Sequence, residues 1–123
     1  MEESEFKSKN GLQRIAKALG YSLDGLKTAY QSEAAVRQET WLMMLLIPLG
    51  FYLGHNNIER ILLVGSTLLV FIVELLNSAV EAAVDHTSLE RHPFAKRAKD
   101  IGSAAVMMGI LLFGLVWGMI LFA

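Results

Sequence analysis

VELLNSAVEAAVD, Val73–Asp85, decides how this chain is read. It ends an apolar run that begins at Ile61, yet it carries Glu74, Asn77, Glu81 and Asp85. On a helix these four fall on one stripe, bordered by Ser78, because three- and four-residue steps return to the same face. The remaining face is Leu75, Leu76, Val80, Val84 and alanines. A carboxylate turned toward lipid costs several kcal/mol, so the stripe must face protein or water. Depth divides it. Asp85 and Glu81 are one turn apart beside a polar loop, whereas Glu74 lies about 10 Å further in at 1.5 Å per residue. A shallow carboxylate reaches a hydrated metal; a deep one reaches a group that stays in the bilayer, such as a lipid hydroxyl.

Working outward, Trp41–Gly54 is uncharged and, with the mixed start at Ala34, makes a helix of bilayer length, containing Pro48 as an expected kink. HNNIER, His55–Arg60, is a tight polar turn. HTSLERHPFAKRAKD is a second polar loop, with Pro93 against one uninterrupted helix. Ile101–Ala123 carries no charge. Toward the N-terminus, Leu12, Ile15, Ala16 and Leu19 recur at helical spacing with Arg14 and Lys17 off the stripe, and Leu23, Leu26, Ala29 and Tyr30 form a second such pattern. Gly20 is expected to separate them into two short helices lying in the membrane interface. MEESEFKSKNG reads as a frayed polar tail and lacks the basic start and apolar core of a signal peptide.

The expectation is one all-α integral membrane domain. Amphipathic surface segments occupy about 5–32, and three transmembrane helices about 34–54, 58–85 and 95–122. With 123 residues, 54% of them hydrophobic, the chain is too small and too apolar to bury its surface as a soluble domain. Lys7, Lys9, Arg14, Lys17, Lys27 and Arg37 precede the first span, and Arg91, Lys96, Arg97 and Lys99 lie between the second and third. Only Arg60 falls in the first loop. This asymmetry puts the N-terminus and second loop in the cytoplasm and the first loop and C-terminus outside.

The net charge of −1 names no partner, and the absence of cysteine excludes disulfides and thiolate chemistry. There is no P-loop and no glycine-rich kinase loop. The three histidines are scattered, against a zinc site, and Ser103 has no histidine base nearby. What remains is a set of carboxylates and cations at the cytoplasmic interface, which suits Mg²⁺ and a phosphate chain. Glu33 and Glu39 flank the start of the first span, and Glu33 is spaced for an i, i+4 pair with Arg37. Lys99 and Ser103 share a face at the start of the third span, beside Asp100. A proton- or ion-conducting subunit would use the same stripe as a relay but needs no phosphate-binding cations. A purely structural scaffold would use it as a polar seam. Ala105 with Gly109, and Gly114 with Gly118, offer close-packing faces for oligomerisation.

GYSLDGLKTAYQSEAAVRQE, VELLNSAVEAAVD and RAKDIGSAAV occur in an order and spacing that resemble the bacterial integral-membrane diacylglycerol kinases, over about Leu12–Trp117. The resemblance implies a homotrimer with composite active sites in the inner membrane, using ATP with Mg²⁺ to phosphorylate diacylglycerol to phosphatidic acid. Undecaprenol kinase, of the same superfamily, is the neighbouring alternative. Carried over by position, Glu74 matches the catalytic base, and Glu33 and Glu81 the metal and ATP-phosphate carboxylates. Arg14, Tyr21, Lys99 and Asp100 match nucleotide-binding positions, with Lys17 beside them and Glu90, Arg91 and His92 on a nucleotide-contacting loop. Tyr30, Arg37, Glu39 and Ser103 match positions around the lipid, and Asn77 and Asp85 support the site. The chain departs from the family in carrying Arg91 where an aromatic residue is common, with Pro93 just after.

Overall fold

A computed structural model describes residues 2–87 and 93–122, with side chains for 10–86 and 93–122. Four helices follow one another: α1 (Glu2–Ser32), α2 (Ala34–Leu53), α3 (Asn57–Thr87) and α4 (Pro93–Phe122). Of these, α3 and α4 are long and apolar enough to cross a membrane. The first turns of α2 contain Arg37, Gln38 and Glu39, which keep that helix outside this pair.

The N-terminal segment corrects two expectations. Helix α1 is continuous through Gly20 and extends back into the supposed frayed tail. The reason is phase: Leu19 to Leu23 is itself a four-residue step, so the two stripes are one. An interior glycine costs about 1 kcal/mol but does not by itself stop a helix, and no described residue takes the left-handed conformation common at helix ends. Ser22 and Ser32 keep their hydroxyls on the helix, donating to the Ala18 and Thr28 carbonyls at 2.8 and 2.7 Å. The apolar stripe stays uncovered, with Leu12 and Ile15 each 68% exposed.

Two bends are each pinned by an arginine of the following helix. Glu33 is the single extended residue between α1 and α2. Arg37 Nη1 reaches back to the Tyr30 and Gln31 carbonyls at 3.0 and 2.9 Å, satisfying acceptors that the end of α1 leaves open. At the next bend Arg60 Nε donates to the Phe51 carbonyl at 3.1 Å. Asn56 caps α3, its Oδ1 accepting from Glu59 N at 2.9 Å, while Glu59 Oε1 accepts from His55 N at 2.9 Å. Gly54 permits this closeness: a Cβ there would lie 2.6 Å from Arg60 Cγ and 2.9 Å from Arg60 N.

Helices α3 and α4 pack antiparallel. Trp117 Nε1 donates to the Leu63 carbonyl at 3.1 Å, Gly109 lies against Val70 and Val73, Gly102 against Asn77, and Lys99 Nζ meets Asp85 Oδ1 at 2.6 Å. On α4 the inward positions Ala95, Gly102 and Gly109 repeat every seven residues, the spacing of a left-handed crossing. Of the anticipated small-residue pairs, only Gly109 joins this seam. Ala105 is exposed, and a Cβ on Gly114 or Gly118 would meet open space.

Candidate active site

The stripe on α3 is the inward face of that helix, continued toward its N-terminus by Ser66 and Thr67. Both are buried and both donate to the Leu63 carbonyl, at 3.1 and 2.8 Å. Their hydroxyls are therefore spent on backbone, and the first polar group left over is Glu74. Glu74 is 8% exposed and has no hydrogen bond among the described residues. It feels the like charges of Glu81 and Glu33, and it acts in turn on Glu39. The break at Glu33 thus sets two carboxylates of the α1–α2 junction against two of mid-α3. Glu33 does not spend its side chain on capping its own helix.

Deeper and shallower neighbours differ in chemistry. Glu39 opens onto an apolar cavity of about 230 Å³ lined by Leu42, Met43, Phe71 and Phe113, and its Oε2 is buried without a hydrogen-bond partner. Glu33 and Ser78 line a wider groove of about 680 Å³ between α1 and α3. Glu81 accepts from Asn77 Nδ2 at 3.3 Å. Asp85 holds Lys99 across the α3–α4 seam, and Asp100 is paired with Lys96 at 2.6 Å on the exposed side of α4. Among the described residues no three His, Cys, Asp or Glu side chains form a metal-holding group.

The chain brings together Glu33, Glu39, Glu74, Asn77 and Glu81, and separately Asp85 with Lys99. Arg37 and Tyr30 sit at the α1–α2 bend, where Tyr30 OH accepts from Trp41 Nε1 at 3.2 Å. The expected Glu33–Arg37 pair is not among the ion pairs of the described residues. Glu33 is extended rather than helical, so the i, i+4 geometry does not apply, and Arg37 turns to carbonyls instead. Arg14, Lys17 and Tyr21 stand exposed on α1, and Ser103 is exposed on α4. Glu90, Arg91 and His92 lie outside the described residues. Sequence reasoning did not single out Gly102; its seven-residue spacing from Ala95 and Gly109 was the available signal.

Acidic groups buried within an apolar helical bundle, two of whose helices are long and apolar enough to cross a membrane, fit the class of membrane proteins. Residues 20–121 match the family of prokaryotic diacylglycerol kinases. The chain is 50% identical over 121 residues to a diacylglycerol kinase of Pseudomonas aeruginosa, covering 98% of each chain. It is 51% identical over 112 residues to one of Haemophilus influenzae, covering 91% of this chain and 95% of the relative. The corresponding Escherichia coli protein is 45% identical over 113 residues, 92% of this chain and 93% of that one. The chain belongs to the prokaryotic diacylglycerol kinase family.

Proposed function

We propose that the chain is a lipid kinase that transfers the γ-phosphate of ATP to the hydroxyl of diacylglycerol, giving phosphatidic acid and ADP at the cytoplasmic interface of the inner membrane. The observation that carries this reading is Glu74, a buried carboxylate without a protein partner among the described residues, set between the acidic junction at Glu33 and the apolar side at Glu39. In this reading Glu74 takes the proton of the lipid hydroxyl as its oxygen forms the bond to phosphorus and the bond to ADP breaks. Glu39 and the cavity beside it receive the glycerol end of a substrate whose chains remain in the bilayer.

Glu33 and Glu81 fit Mg²⁺ by donor chemistry, since that ion takes one or two carboxylates and fills its other positions with water and phosphate oxygen. Bound there, Mg²⁺ supplies charge neutralisation at the phosphates. Lys99 and Arg14, with Lys17, Tyr21 and Asp100, would bind the nucleotide. Helix α2 is read as the first of three spans, with the N-terminus cytoplasmic. Three chains are read as the working unit, the assembly that the resemblance to the family implies; in support, Arg14 and Lys17 stand exposed on α1 and are in none of the ion pairs among the described residues.

The test is phosphate transfer from radiolabelled ATP in mixed micelles, with diacylglycerol and undecaprenol assayed side by side. Diacylglycerol is expected to be the better acceptor; preference for undecaprenol would assign the neighbouring activity. Glu74→Gln is expected to stay folded and lose at least about 10²-fold in turnover. Full activity in that variant removes Glu74 as the base.

A further inference from the structure

Gly102 is where α4 comes closest to the carboxylate stripe. A Cβ at this position would overlap Asn77 Oδ1 and lie 3.3 Å from Asn77 Cγ. The backbone there has no positive φ, so what glycine provides is space and not conformational freedom. Asn77 Oδ1 is buried and has no hydrogen-bond partner; the Gly102 Cα–H beside it offers at most a weak C–H···O contact. On the other side of the same carboxamide, Nδ2 donates to Glu81 Oε1. The amide is wedged between a glycine and a carboxylate, and its orientation determines whether Glu81 receives a proton donor.

We propose that Gly102 is a positioning residue for the nucleotide half of the reaction: the space it leaves fixes the Asn77 carboxamide, which in turn orients Glu81. This inference rests on the role given to Glu81 in the lipid-kinase reading. A methyl group at residue 102 crowds the far end of a flexible side chain, not backbone. Asn77 therefore turns away before the helices separate, and the bond to Glu81 is lost with the fold retained. Glycine at 114 or 118 has open space beside it and makes no such demand within the chain.

The experiment uses the full chain in detergent micelles and measures binding of a non-hydrolysable Mg²⁺–ATP analogue, alongside separate KM values for ATP and diacylglycerol. Gly102→Ala is expected to weaken analogue binding roughly tenfold, the worth of a hydrogen bond to a charged group. The KM for ATP should rise with it, and that for diacylglycerol should stay put. Asn77→Ala should show the same loss, and the double variant should be no worse than Asn77→Ala alone. Wild-type analogue affinity in Gly102→Ala, or losses that multiply in the double variant, would overturn the proposal. If Gly102→Ala does not fold, Asn77→Ala decides alone, because it adds no atoms: unchanged affinity there overturns the proposal too. A wild-type protein that neither binds the analogue nor phosphorylates diacylglycerol defeats the lipid-kinase reading itself. Normal wild-type behaviour with unaltered variants defeats only the role of Gly102.

Discussion

The indole of Trp117 ties the end of α4 to the Leu63 carbonyl, an acceptor that also serves the Ser66 and Thr67 hydroxyls. Trp117→Phe removes one donor without orphaning the acceptor. It is expected to cost about 1 kcal/mol in detergent unfolding while leaving phosphate transfer intact. A loss of activity without a loss of stability would contradict a purely structural role. At this scale the sequence was informative where a residue's chemistry clashes with its surroundings. Glu74, Asn77, Glu81 and Asp85 announce themselves because acid does not belong in an apolar run. Gly102 does not, because the significance of a missing side chain depends on what the opposite helix places beside it. Arg37 was legible as a cation but not as a clasp on carbonyls, since that requires knowing that α1 ends at Ser32.

Among elements, the α2–α3 hairpin depends on contact distance at Gly54. A methyl group there meets backbone at Arg60 N, 2.9 Å away, which cannot swing aside. Gly54→Ala should therefore destabilise the chain by about 1–3 kcal/mol in detergent unfolding. An unchanged midpoint would mean that the turn relaxes freely. The helices themselves were readable from three- and four-residue apolar spacing and from Pro93. The continuity of α1 was not, because Gly20 is a strong local stop signal and the in-phase step from Leu19 to Leu23 is a weaker one. The pairing of α3 with α4 through Ala95, Gly102 and Gly109 follows a seven-residue repeat that also fits other faces of α4, so the partner had to be seen.

At the level of the whole molecule, the cations Arg14 and Lys17 and the carboxylates Glu74 and Glu81 sit on different helices, and no ion pair among the described residues joins them. If complete sites form only between chains, Glu74→Gln and Arg14→Ala chains, each impaired alone, should recover part of the activity when unfolded together and reassembled as mixed oligomers. No recovery beyond the sum of the two separate preparations would argue for sites built within one chain. Sequence alone could not settle this division, because periodicity assigns residues to faces of a helix and not to copies of a chain.

The arginine clasp at the α1–α2 bend carries a consequence for the chemistry beside it. A guanidinium remains protonated throughout the pH range in which proteins function, and a peptide carbonyl does not titrate at all. The angle at which α1 meets α2 is thus set by groups indifferent to acid and base. The carboxylates beside that bend can gain and lose protons during a reaction cycle while the clasp that aims them keeps its shape.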